Sequence, residues 1–144
     1  MIAKGSWKGQ YKYDDKSIQN VIGFEQTNFE IEIISTNDES FTGTVQDDLT
    51  TGGTRGVGEI IGKVNGMRVE FVKQMPIMSL IVNKRGTRKI LNQKHRKIYY
   101  IGSLSDDGKR VSGRWKFKFG FIWTGMLPRI GLPTKGTWTM SRAE

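Results

Sequence analysis

The stretch IYYIGSLSDDGKRVSGRWKF, residues 98–117, decides the fold. At its centre Asp107-Gly108 is a tight-turn signal between two alternating runs. Folding about that turn pairs Leu104 with Val111, Gly102 with Gly113, Tyr100 with Trp115 and Ile98 with Phe117. One face of the resulting hairpin is wholly apolar. The other carries Tyr99, Ile101, Ser103, Ser112, Arg114 and Lys116. A slip of one residue would exchange the two faces, so their clean separation supports this register.

The same arithmetic extends outward. Folding about Asn65-Gly66 pairs Val64 with Met67, Gly62 with Val69 and Ile60 with Phe71. Its opposite face carries Glu59, Lys63, Arg68 and Glu70, with Ile61 and Val72 among them. Residues 7–13, 29–33 and 41–45 alternate with period two, and 75–82 also reads as a strand. Residues 41–48 (FTGTVQDD) echo 100–107 (YIGSLSDD), one hairpin solution used twice. The single helix candidate is short, near residues 15–22. Gly9, Gly43, Gly62, Gly102, Gly113 and Gly136 all fall on apolar faces, where a missing side chain lets a sheet bend inward. A closed barrel makes the most of such bends and removes exposed edges. The expectation is therefore all-β: one domain over residues 1–144, a single antiparallel up-and-down β-barrel of about 8–10 strands with at most one short helix.

Composition narrows the functional classes. With 36% hydrophobic residues among 144, the chain holds no apolar run long enough for a membrane helix. Cys is 0 and His is 1, so thiol chemistry, thiolate metal sites and His-cluster metal sites are excluded, and no metal or cofactor is expected. Residues 1–7, MIAKGSW, have no signal-peptide core, and with the lack of Cys this gives an expectation of a cytoplasmic protein. The net charge of +9 is unevenly spread. Residues 1–70 hold 7 Lys/Arg against 11 Asp/Glu, and residues 71–144 hold 16 against 3. If the halves form different walls, the body is electrically two-sided, and its basic half suits a polyanion or an acidic partner.

The two ends of the chain carry a further signal. Gly5-Ser6-Trp7 opens the first strand, and GTWTMSR, residues 136–142, closes the last. This resembles the calycin superfamily of lipocalins, fatty-acid-binding proteins and avidins, with a Gly-x-Trp on the first strand and a basic residue on the last. The resemblance implies a lipocalin-like barrel that often encloses a small apolar ligand. It also implies a barrel-closing pair, Trp7 and Arg142, with the cation lying across the indole.

Tyr11, Phe41, Phe71, Tyr100, Trp115, Phe117 and Trp138 are predicted to face inward. They either line an apolar ligand cavity or fill the core themselves. The inward glycines favour space for a ligand. Lys73 shares the face of Phe71, where an ammonium needs a carboxylate, a ligand anion or solvent at the barrel mouth. Lys84, Arg85, Arg88, Lys89, Lys94, Arg96 and Lys97 form either a phosphate-binding hairpin or a solvated loop tip. Asp47/Asp48 and Asp106/Asp107 read as turn residues. Phe117, Phe119, Phe121 and Trp123 continue the alternation as one long bent strand or as a partner or membrane-contact edge, with a core role favoured. His95 sits among cations with no carboxylate to orient it, and no nucleophile–base set or phosphate loop stands out, so an enzyme is not expected. The leading expectation is non-enzymatic binding of a small hydrophobic or amphipathic ligand, anionic if Lys73 orients it. The alternative is a filled barrel whose basic half is an interaction surface.

Overall fold

A computed structural model describes residues 2–81, 88–91, 97–117, 120–124, 127–131 and 135–143. The alternating segments close into an antiparallel up-and-down barrel. Its eight strands are β1 (Gly5–Tyr13), β2 (Thr27–Thr36), β3 (Ser40–Asp47), β4 (Val57–Asn65), β5 (Arg68–Gln74), β8 (Ile98–Leu104), β9 (Arg110–Phe117) and β12 (Lys135–Arg142), in the order β1-β12-β9-β8-β5-β4-β3-β2. Two ribbons complete the set. β6 (Met78–Ile81) pairs with β7 (Arg88–Leu91), and β10 (Gly120–Thr124) pairs with β11 (Leu127–Gly131). Of the run from Phe117 to Trp123, Phe117 belongs to β9 of the barrel and Phe121 and Trp123 to β10 of a separate sheet, while Phe119 lies outside the described residues. Helix α1 (Lys16–Ile22) follows β1, capped by Asp15 accepting from the Ser17 amide at 2.8 Å and ended by Gly23 in the left-handed region. Among the described residues no helix is long and apolar enough to cross a membrane.

The β8–β9 hairpin has the register read from the sequence: Leu104 faces Val111, Tyr100 faces Trp115 and Ile98 faces Phe117. The β4–β5 hairpin is displaced by two residues from its expected pairing, with Val64 opposite Val69, Gly62 opposite Phe71 and Ile60 opposite Lys73. Its loop is Gly66-Met67, not Asn65-Gly66. The expected turn needs a left-handed residue at both central positions. Here Gly66 has φ 61 and no described non-glycine residue has a positive φ, which leaves the turn with glycine at its first central position. A shift of two preserves parity, so the same side chains still face inward.

Each of four inward glycines lies opposite an aromatic ring on a neighbouring strand. The pairs are Gly9 with Phe29, Gly62 with Phe41, Gly113 with Trp138, and Gly136 with Trp115. A Cβ on Gly136 would stand 2.6 Å from the Trp115 indole nitrogen. Glycine lets the carbonyls approach, and the indoles donate to them. Trp115 Nε1–H is shared by the Lys12 and Thr137 carbonyls at 3.2 and 3.1 Å, and Trp138 Nε1–H by those of Ile101 and Arg114 at 3.2 and 3.0 Å. At Gly9, Gly62, Gly102 and Gly136 a ring occupies the room that the glycine leaves, whereas at Gly43 and Gly113 the neighbouring backbone does.

The two ends of the barrel differ. The tight turns β2–β3, β4–β5 and β8–β9 lie at one end, where Trp7, fully buried, plugs the floor with Ile2. All the long connections lie at the other end: α1, the segment from β3 to β4, and the two ribbons. Function on a β-scaffold usually resides in its longer connections, which singles out this second end.

Candidate functional site

Inside the ribbon end sits a buried ion pair. Parity turns Lys73 of β5 inward beside Phe71, and the same parity on β3 turns Asp47 inward with Phe41, Gly43 and Val45. Lys73 Nζ lies 2.6 Å from Asp47 Oδ1, with both side chains at most 3% exposed. The other carboxylate oxygen accepts from the Tyr11 hydroxyl at 3.2 Å and from the Thr54 amide at 3.1 Å. The ammonium also lies 4.9 Å from the Tyr11 ring centroid, within cation–π range. Burial, reinforced by the Asp47 charge, pushes the Tyr11 phenol well above its usual range, and Tyr100 is raised for the same reasons. Both stay protonated at neutral pH, so the Tyr11 hydroxyl remains a donor.

Two sequence expectations bear on this pair. Of the three partners that an inward Lys73 needs one of, a carboxylate, a ligand anion or solvent, the structure supplies the carboxylate. β5 continues past it to Gln74, and Asp47 supplies the opposing charge. The Asp47-Asp48 pair predicts a turn at both positions. Only Asp48 fits that reading, capping the 3₁₀ turn Leu49–Thr51 through the Thr50 amide and hydroxyl. Asp107 likewise holds its turn, accepting from the Lys109 amide and the Ser105 hydroxyl. Asp47 was the site residue that sequence reasoning missed. Its signal was parity with Phe41, obscured by the Asp-Asp pair.

Tyr11, Phe41, Phe71, Tyr100, Trp115, Phe117 and Trp138 are all buried and brought together. Phe71 stacks on Tyr100 with centroids 4.5 Å apart, and Trp138 meets both rings edge-on. Beside the ion pair the rings leave a cavity of about 20 Å³, lined by Tyr11, Asp47, Thr54, Lys73, Tyr100 and Trp115 among others. That is room for about one water molecule, whereas pockets for drug-sized ligands hold about 300 Å³ or more.

At the opposite end, Trp7 and Arg142 are register partners on β1 and β12. The expected stacking is not made. Arg142 is exposed, and among the described residues the only cation over a ring is Lys73. Arg142 is the last residue of its strand, and the Trp7 indole donates to the Ala3 carbonyl at 3.0 Å instead.

The outer surface divides by charge. Exposed Glu30 and Glu32 lie on β2 and Glu59 on β4. On the contiguous strands β1, β12 and β9, the outward charges are Lys8, Lys12, Lys135, Arg110, Arg114 and Lys116, with no acid on those strands. Lys8 bridges to Glu30 and Arg114 to Asp14. Lys116 and Lys135 stand directly opposite each other across β9–β12, close to the roots of both ribbons. Of the expected basic hairpin, Lys97 is exposed just before β8, and Arg88 and Lys89 lie on β7. Lys84, Arg85, Lys94 and Arg96, with His95, lie outside the described residues. No group of three metal-ligating side chains occurs among the described residues. No protein-family model, curated protein or solved structure matches the chain.

Proposed function

We propose that this protein is a non-catalytic binding module that meets an anionic partner on the outside of its barrel, on the wall β1–β12–β9 at the ribbon end. The opposition of Lys116 and Lys135 carries this reading. Like charges facing across an antiparallel pair are unfavourable, and an anion between them reverses the sign of the interaction. Lys97, Arg114 and Lys12 lie close by on the same surface. The filled interior supports an outside site as well. The test is binding to heparin as a soluble polyanion across a salt series. Affinity is expected to fall steeply with salt, and Lys116→Gln/Lys135→Gln is expected to weaken it and flatten the salt dependence. Unchanged binding by the double variant overturns the site.

A second reading keeps the lipocalin-like expectation of a small amphipathic ligand inside the barrel. Its support is the interior cation, which a ligand carboxylate in place of Asp47 would satisfy, together with Trp7 and Arg142 sharing one register position, as the calycin resemblance implies. It requires rings to move, since the cavity holds about 20 Å³. A fluorescent fatty-acid probe with salt-indifferent, displaceable binding is the expected result, and a folded protein that ignores the probe overturns this reading.

A further inference from the structure

We infer that the outer face of β4–β5–β8 is a docking surface for a second copy of this chain, related to the first by a two-fold axis. The inference uses other residues than the anionic wall and does not rest on it.

Outward positions on these strands break the pattern of apolar inside and polar outside. Ile61 is opposite Val72 in the β4–β5 register, and Val72 is opposite Tyr99 in the β5–β8 register. They form one row across three neighbouring strands. Ile101 stands two residues from Tyr99 on β8. Ile61 is 65% exposed, more than any other large hydrophobic residue among those described, and Ile101 is 40% exposed. All four line one shallow depression on the outside of the barrel, together with Glu59, Lys63, Lys97 and Lys116. A single exposed apolar residue needs no explanation, but a row of them bordered by charges marks a contact surface.

The charges beside the row identify the partner. On one side β4 and β5 present Glu59 and Gln74, which are register partners. On the other side they present Lys63 and Glu70, also register partners. A cation or an anion docking over the row would find both signs there, one of them repelling it. A second copy turned over about an axis laid along the row finds each sign opposite its complement. Ile61, Val72 and Tyr99 then each meet their own counterpart. Glu59 meets Lys63 of the other copy, and Lys63 meets Glu59, so the pair is made twice. Neither residue has an ion-pair partner among the described residues, whereas Glu70 is held by Arg68 at 2.7 Å. Glu70 falls opposite uncharged Gln74, so no like charges are opposed there. Beyond Ile61 the next outward residue of the row is Thr42 on β3, also uncharged. On the other flank the closed barrel curves β9 away from the contact.

Strands about 4.8 Å apart, with about five residues along each, make a patch of a few hundred Å². That is the low end for specific interfaces, so the dimer is expected to form in a concentration-dependent way.

The experiment is sedimentation equilibrium of the full chain over an about hundred-fold range of concentration. A reversible monomer–dimer equilibrium is expected. Ile61 lies on the axis and is used twice, so Ile61→Asp is expected to lower the association constant about a hundred-fold or more. Glu59→Lys and Lys63→Glu are each expected to abolish self-association, because each sets like charges together twice. Mixed in equal amounts, these two variants restore opposite charges at both contacts and are expected to dimerise with each other. Positions 59, 61 and 63 are exposed, so the variants keep the fold, as near-ultraviolet circular dichroism checks. Lys116→Gln/Lys135→Gln is expected to dimerise no less than the native chain, and Ile61→Asp to bind heparin as the native chain does, so this inference and the anionic wall fail separately. A chain that stays monomeric throughout the range, forms species larger than a dimer, or dimerises unchanged with Ile61→Asp overturns the inference. Glu59→Lys and Lys63→Glu that stay apart when mixed overturn it as well.

Discussion

Replacing Asp47 by Asn tests the interior of the barrel most directly. The amide has nearly the shape of the carboxylate and can still accept from Tyr11 and Thr54, at 3.2 and 3.1 Å in the native protein. It leaves the Lys73 ammonium, 2% exposed, without an opposing charge. Breaking a buried pair in this way costs about 3–5 kcal/mol. For a chain of 144 residues that is a fall in Tm of roughly 10–20 °C. Lys73→Met is expected to cost less, because the carboxylate keeps two donors. In the double variant Asp47→Asn/Lys73→Met neither charge is buried, and a neutral pair of similar volume is often as stable as the ion pair it replaces. The double variant should therefore be more stable than Asp47→Asn alone. Urea unfolding of the four proteins gives the coupling energy. If the double loss equals the sum of the single losses, the two side chains are not partners and the assignment of the interior is wrong.

Two further outcomes follow from local geometry. Gly136→Ala would set a methyl group against the Lys12 carbonyl and the Trp115 ring, neither of which can swing away. A loss of about 2–3 kcal/mol in urea unfolding is expected, and a change within about 0.5 kcal/mol would show that the indole does not rest on the glycine. Stability should also fall at both pH extremes. Asp15, Asp48 and Asp107 are held below the ordinary carboxylate value of 3.8 by side-chain and backbone hydrogen bonds from Ser17, Thr50, Ser105 and Lys109, so their contribution is present above that pH and lost as pH falls below it. Tyr11 and Tyr100 are raised above 10.0, chiefly by burial, so their contribution is present below that pH and lost as pH rises through the folded values. A urea midpoint that rises between pH 10 and 11 would contradict the burial of the two phenols.

Parity carried most of what the sequence could tell. Alternation sorted inward from outward side chains on every barrel strand, and it survived even the two-residue displacement at Gly66. It placed Lys73 inside and held the evidence for Asp47 in the shared phase of residues 41, 43, 45 and 47. What it could not supply was which strands lie beside one another across the long connections. Whether the barrel is hollow depends on that. Trp115 covers Gly136 only because β9 pairs with β12, across a connection of residues 118–134 that contains its own ribbon. The same inward residues in another strand order would leave glycines unfilled and a cavity between them. The exposed position of Arg142 was hidden for a related reason, since its parity points inward but its strand ends there.

The outside of the barrel is best understood from what its inside leaves undone. Among the described residues, rings lie on several inward glycines and the buried charges of Lys73 and Asp47 are paired with each other. The outer face of β9–β12 is different. Thr137 and Thr139 occupy the neighbouring outward positions on β12, so uncharged residues fit this wall, yet at Lys135 the strand presents a cation to the cation of Lys116. Such an arrangement weakens a sheet in isolation. It occurs beside the roots of both ribbons, at the end that holds every long connection between the described barrel strands. Repulsion retained at one place is better explained as a surface awaiting an anion than as a feature of the fold itself.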